Sequence, residues 1–178
     1  MTFFRYARNK IVRFTNLDMF LTDVYKVLDI TAGYRSFWKN KDCKGVIFID
    51  VRREVKPDIV ADNEHLPFRD SVFEFVFYDP PYVIRRHPSY FHTDFGKRYW
   101  AFPSFGKLAK NIVNVNREVY RVLKERGKLL VKYTPLKNNL ALHSVLSLLD
   151  NFKEIRREVK DSKSYRGNKV YYILLEKK

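Results

Sequence analysis

Apolar residues fall in short, dense blocks along the 178-residue chain, and their spacing separates strands from helices. VLDI (27–30), GVIFID (45–50), DIVAD (58–62), FEFVFYD (73–79) and KLLVKY (128–133) are β-branched or aromatic runs with little polar alternation. Such runs predict strands covered on both faces, as in a parallel sheet. TNLDMFLTDVY instead spaces Leu17, Phe20, Leu21 and Val24 at helical intervals, with Thr15 or Asn16 as N-cap. SFGKLAKNIVNVNREVYRVLKERGK places Leu108, Ile112, Val115, Val119 and Val122 on one helical stripe. Lys107, Lys110, Arg117, Arg121 and Lys124 lie off that stripe, and Gly127 suits a C-terminal cap. NNLALHSVLSLLD (138–150) predicts a further helix, capped by Asn138 or Asn139. FKEIRREVK and VYYILLEKK, joined by the turn-rich KDSKSYRGNK, predict two strands paired antiparallel at one end of the sheet.

Strands alternating with helices specify an α/β fold: one open, mostly parallel seven-stranded sheet, helices on both faces, and an antiparallel C-terminal hairpin. A chain of this length is expected to form a single domain over 1–178. One connection is short. Only VRREVKP separates the second and third strands, against the 10 to 12 residues or so of a parallel crossover. The helix there is expected to be vestigial, or the third strand short.

Composition narrows the function classes. No apolar run approaches the roughly 20 residues that cross a bilayer. The N-terminal MTFFRYARNKIVRF carries charge throughout rather than the apolar block of a secretory signal. A single cysteine, Cys43, and no Cys/His cluster of zinc-site spacing fit a reducing, cytoplasmic setting and no metal. The net charge of +15 is the footprint of a polyanion binder, with nucleic acid ahead of an anionic membrane surface. A solubility or thermal-adaptation bias is the alternative, since the chain is rich in Lys, Arg and Tyr and lacks Gln.

Open parallel sheets bind ligands at the carboxyl ends of their strands. There the sequence delivers four carboxylates: Asp29, opening Asp29-Ile30-Thr31-Ala32-Gly33-Tyr34-Arg35; Asp50; Asp62, followed by Asn63; and Asp79, opening Asp79-Pro80-Pro81-Tyr82. Asp50 lies 21 residues beyond Asp29, the separation at which a second-strand carboxylate grips ribose hydroxyls. Taken singly, each aspartate also serves as a strand terminator or helix cap. The tetrapeptide DPPY is more specific, arising by chance on the order of once in a thousand chains of this length. Its prolines fix the backbone and lack N–H groups, which leaves the Asp79 carboxylate and the Pro80 carbonyl as paired acceptors for both hydrogens of an amine. Tyr82 would offer a flat face to a base carrying that amine.

DITAGYRSFW, IDVRREVKPDIVADNEHLPF and FVFYDPPYV, in this order, resemble the cofactor motifs and the (Asn/Asp)-Pro-Pro-(Tyr/Phe/Trp) motif of class I S-adenosylmethionine-dependent methyltransferases that modify exocyclic amino groups of nucleobases. The resemblance covers residues 26 to 133 or so and is greatest to small single-domain members from viruses and prophages, in which Arg also replaces the second glycine of the first motif. It implies a Rossmann-like fold and S-adenosylmethionine as cofactor. Asp29, Thr31, Ala32 and Gly33 would shape the pocket for the methionine part, Asp50 would bind the ribose, and Asp62 would meet the adenine amino group with Asn63 or His65 beside it. Asp79, Pro80, Pro81 and Tyr82 would hold the target base. Arg35 is the departure from the glycine pattern, and it would either alter the cofactor's placement and affinity or pair with its carboxylate. The implied acceptor is adenine N6 in DNA, with cytosine N4 or an RNA base as alternatives and a host-cell cytoplasm as the setting if the source is viral.

After DPPY comes an aperiodic stretch dense in cations and aromatics, expected to form a substrate-facing loop over 83–106. Arg85, Arg86, Lys97 and Arg98 would track phosphates while Tyr99 and Trp100 stack beside a base. Packing of these aromatics on the sheet is the alternative. With no room for a separate target-recognition domain, sequence recognition falls to this loop or to a homodimer, or is slight. A catalytically silent nucleic-acid-binding module and a small-molecule or protein methyltransferase are the competing readings.

Overall fold

The apolar blocks form one seven-stranded sheet. A computed structural model of the chain describes residues 27–81, 83–85, 88–93, 96, 100–137, 139–162 and 166–178. The helix expected around 17–24 lies outside the described residues. The strands are β1 (Val27–Asp29), β2 (Val46–Asp50), β3 (Ile59–Val60), β4 (Phe73–Tyr78), β5 (Leu123–Tyr133), β6 (Phe152–Asp161) and β7 (Lys169–Lys177). Their order across the sheet is β3-β2-β1-β4-β5-β7-β6. Neighbours from β3 to β5 run parallel, whereas β7 is antiparallel to both β5 and β6. The expected C-terminal hairpin is therefore present, with its second strand inserted against β5.

Strand residues alternate between two apolar layers because successive side chains point to opposite faces. Leu28, Val76, Tyr78, Leu129, Val131 and Ile173 face the helices α1 (Phe105–Val122) and α2 (Leu142–Leu148). Phe48, Phe75, Phe77, Leu130, Tyr172 and Leu174 form the other layer with Trp38. Phe37 stacks on Phe77 there at 4.2 Å, and Trp38 meets Phe48 edge-on at 5.4 Å. The α1 stripe of Leu108, Ile112, Val115, Val119 and Val122 is fully buried, as its period requires. Each such side chain contributes about 1.5–3 kcal/mol. Ser104 opens the helix, its hydroxyl accepting the Lys107 N–H at 3.2 Å.

Two helix ends differ from the sequence expectation. α1 passes directly into β5, with Leu123 at its C-cap in an extended conformation, so Gly127 is no cap. The left-handed residue in this turn is Arg126, φ 57°. Gly127 is glycine for room: a Cβ there would sit 2.8 Å from the Lys124 carbonyl oxygen. α2 begins at Leu142 rather than 138, with Ala141 at its N-cap and no side-chain bond. Asn139 instead accepts the N–H of its own neighbour Leu140, whose carbonyl is held by the Tyr133 hydroxyl at 2.8 Å. Asn138 lies outside the described residues.

The β2–β3 connection is as thin as expected. A single 3₁₀ turn, Arg53–Val55, ends in left-handed Lys56, and β3 has only two residues. Asp58 closes the connection by giving its N–H to Phe48 O and accepting the Phe48 N–H. No described helix is long and apolar enough to cross a membrane.

Candidate active site

β1 and β4 are neighbours in the middle of the parallel half, while their connections diverge toward β2 and β5. That switch point leaves a crevice at the strand ends. Thr31 spans it. Its N–H donates to Asp29 Oδ1 at 3.0 Å, and its hydroxyl accepts the Asp79 N–H at 2.7 Å. The turn after β1 is thus bonded to the tip of β4, bringing Asp29, Thr31 and Asp79 together.

Asp29 is almost wholly buried, and Trp38 Nε1 donates to its Oδ2 at 2.6 Å. Loss of water pushes its carboxyl up to about 7. The indole and the Thr31 N–H favour the charged form, while Asp79 and Asp50 add to the upward push. Ala32 is pinned by its N–H to Ile49 O, which sets Gly33 at φ +50° facing the end of β2. The Gly33 N–H reaches Asp50 Oδ2 at 2.9 Å.

Asp50 carries more donors than that. The Arg52 N–H and Nε meet Oδ1 at 3.0 and 2.9 Å, and Arg52 Nη2 meets Oδ2 at 3.0 Å. Four donors on one carboxylate match its roughly four lone-pair positions. Arg52 was not among the sequence candidates; a guanidinium two residues after a strand-end aspartate was the available signal.

Arg35 is bonded to the chain's own groups. Left-handed at φ 54°, it gives Nη1 to Lys41 O and Nη2 to Lys56 O and Asp58 Oδ1, with its guanidinium 4.2 Å from the Phe48 ring centre. It braces the β2–β3 connection.

Asp62 is exposed at the end of β3, one oxygen accepting the Glu64 N–H. Asn63 belongs to a half-buried network. Asn111 on α1 gives its amide hydrogens to Asn63 Oδ1 and Glu64 Oε1, both at 2.9 Å, and takes the Tyr78 hydroxyl at 2.8 Å. Asn114 adds a bond to Glu64. These asparagines hold the 62–64 turn against α1.

At the β4 tip, Pro80 is buried and Pro81 half-buried. Asp79 is about a quarter exposed and forms an ion pair with Lys132 of β5. Register explains the meeting, since Tyr78 pairs with Val131 and the next residue of each parallel strand follows. Burial pushes the Asp79 carboxyl above its usual range, and the Lys132 ammonium works against that push. Lys132 was not among the sequence candidates; a lone cation in the otherwise apolar LLVKY is the signal.

The loop after DPPY is pinned at its base. Arg85 N–H donates to Phe102 O and Phe102 N–H to Val83 O. Arg85 and Trp100 are exposed, and the Arg85 guanidinium lies 5.6 Å from the Tyr90 ring centre. Tyr82, Arg86, Lys97, Arg98 and Tyr99 lie outside the described residues.

No protein-family model matches the chain, and no curated protein matches it in sequence. Solved structures do match in fold. The PH0226 protein from Pyrococcus horikoshii superposes with a TM-score of 0.59 at 17% identity, over 91% of this chain and 86% of that one. An S-adenosylmethionine-dependent methyltransferase from Methanosarcina mazei gives 0.58 at 15% identity, over 90% and 96%. The N-methyltransferase NodS from Bradyrhizobium japonicum, in complex with S-adenosylhomocysteine, gives 0.55 at 12% identity, over 86% and 78%. By these likenesses the chain has the Rossmann-like fold of S-adenosylmethionine-dependent methyltransferases.

Proposed function

We propose that this chain transfers the methyl group of S-adenosylmethionine to an exocyclic amino nitrogen of a nucleobase, adenine N6 in DNA being the acceptor put forward. The observation that carries the reading is the Asp79 N–H to Thr31 Oγ1 bond, which joins the Asp79-Pro80-Pro81 tip to the glycine turn at the switch point. A group seated on the turn and an amine held at the tip then adjoin. The resemblance of DPPY to nucleobase methyltransferases and the net charge of +15 support the acceptor class.

The residues present fit the cofactor in kind. Gly33 gives a turn without a side chain, Asp50 a carboxylate at the ribose position, and Asp62 an exposed acceptor for an adenine amine. The fit has one condition. With four donors already on Asp50, a ribose diol takes its place only where the Arg52 fork withdraws.

The bound cofactor supplies an electrophilic methyl group, and the protein's part is to prepare the nitrogen. An aromatic amine shares its lone pair with the ring and is a weak nucleophile. Hydrogen bonds from its two N–H groups to Asp79 and the Pro80 carbonyl favour a more tetrahedral nitrogen and stabilise the positive charge that develops there, and the methylated nitrogen then gives up its surplus proton to water. Fixing the amine within about 3–3.5 Å of the reacting carbon adds the gain from proximity.

The test is radiolabelled methyl transfer to DNA and RNA pools with identification of the labelled nucleoside, Asp79→Ala beside the wild type. Label is expected in N6-methyladenine from DNA. The variant is expected to keep S-adenosylhomocysteine binding by calorimetry and to lose transfer by about 100-fold or more. The filled Asp50 site favours a second reading, a silent nucleic-acid-binding module of the same fold. That reading stands if the wild type binds DNA but gives no heat with S-adenosylhomocysteine. Label on small amines instead of nucleic acid would replace both.

A further inference from the structure

The Asp79–Lys132 ion pair bears on which amines the rim accepts. Resting on the nucleobase reading, we propose that Lys132 is a specificity-determining positioning residue: its ammonium holds one oxygen of Asp79, leaving the other oxygen and the Pro80 carbonyl to a neutral aromatic amine while repelling alkylammonium groups. An isolated carboxylate at a half-buried rim attracts any cation. Aliphatic amines are ammonium ions at neutral pH, so an unpaired Asp79 would select them first, and in a form with no lone pair to methylate. The exocyclic amines of nucleobases are uncharged at the same pH. A carboxylate whose charge is already balanced keeps its hydrogen-bond acceptor capacity while offering no net attraction to ammonium.

Lys132 is built for this place. It sits on β5, buried between β4 and β7 in the sheet, and its neighbours Val131 and Tyr133 are fully buried. The ammonium therefore reaches Asp79 from a fixed backbone, one residue beyond the Tyr78–Val131 pair. Lys132 from β5 is ion-paired with Asp79, and the Asp29 carboxyl at the end of β1 is close enough to feel the Asp79 charge. Removing Lys132 takes away the ammonium that balances Asp79.

The experiment compares wild type, Lys132→Met and Lys132→Arg on two probes, an adenine-containing single-stranded DNA oligonucleotide and ethanolamine. Wild type is expected to methylate the oligonucleotide and ignore up to millimolar ethanolamine. Lys132→Met is expected to lose oligonucleotide transfer by about 10- to 100-fold and to become inhibited by ethanolamine. Lys132→Arg, which keeps the charge, is expected to restore most of the transfer and the resistance. Unchanged transfer and unchanged resistance in Lys132→Met would overturn the proposal. A second readout needs no turnover. Carbon-13 NMR titration of the Asp79 carboxyl should move to higher pH in Lys132→Met and return in Lys132→Arg, and an unmoved titration sinks the pairing itself. A wild type that labels neither probe while the titration moves as expected would instead remove the nucleobase reading, and labelling of ethanolamine by the wild type would remove both.

Discussion

Asp50 and Arg52 form a bidentate ion pair whose members are each mostly shielded from water. Opening it would uncover a charge, so any ligand that uses Asp50 competes with the chain's own guanidinium. Replacing Arg52 by Met removes the competitor. Calorimetry is expected to show S-adenosylhomocysteine binding about tenfold more tightly, while urea unfolding shows a loss of about 3 kcal/mol from the uncompensated carboxylate. Weaker binding in Arg52→Met would mean that the guanidinium helps hold the ligand. Asp29 gives a second expectation, with a defined sign. Its native carboxyl titrates near 7, well above the usual carboxylate value, so the folded chain holds this proton where the unfolded chain has released it. Its contribution is therefore most favourable in acid, declines between pH 4 and 7 or so, and is level above that. Over that interval the wild type should lose on the order of 3 kcal/mol relative to Asp29→Asn, measured as the difference between their urea unfolding curves. At this scale the sequence disclosed the acidic residues and hid their partners. Asp29, Asp50 and Asp79 announce themselves by ending apolar runs. Trp38, Arg52 and Lys132 meet them only through a turn, a two-residue reversal and a strand register, none of which a period reveals.

Elements were more legible than caps. The α1 stripe and the strand cores follow from side-chain period and burial, which act on every residue and so survive local exceptions. Gly127 and Asn139 misled because each is claimed within its own turn: the Lys124 carbonyl leaves Gly127 no room for a side chain, and Asn139 accepts the Leu140 N–H. Arg121 is the converse. Off the apolar stripe, it reads as a solvated cation, yet its guanidinium gives bonds to Leu66 O, Phe68 O, Glu118 and Asp70. Glu118 in turn accepts the Leu66 N–H at 2.7 Å. The 66–70 segment is thereby fastened to α1 before the chain enters β4. Arg121→Ala should lower the unfolding free energy by about 1–3 kcal/mol, and Arg121→Lys should recover only part of that, because an ammonium cannot reproduce the planar fork.

For the molecule as a whole, alternation of strand and helix sufficed for the sheet, and the shortness of VRREVKP anticipated its thin edge. What alternation could not supply was how unevenly the seven strands are held. β4 and β5 lie inside the sheet with both faces covered, whereas β3 has two residues and rests on the bonds of Asp58, Arg35 and Ala61. Local opening follows such differences, ranging from almost no free energy at weakly held edges to the global value in core strands. Amide hydrogen exchange should accordingly be orders of magnitude faster at Ala61 than at Val76 or Leu130. The two-residue strand thus makes one wall of the crevice the quickest to open: a molecule bridging Asp50 and Asp62 would register first as a slowing of exchange at Ala61, before any catalytic event is counted.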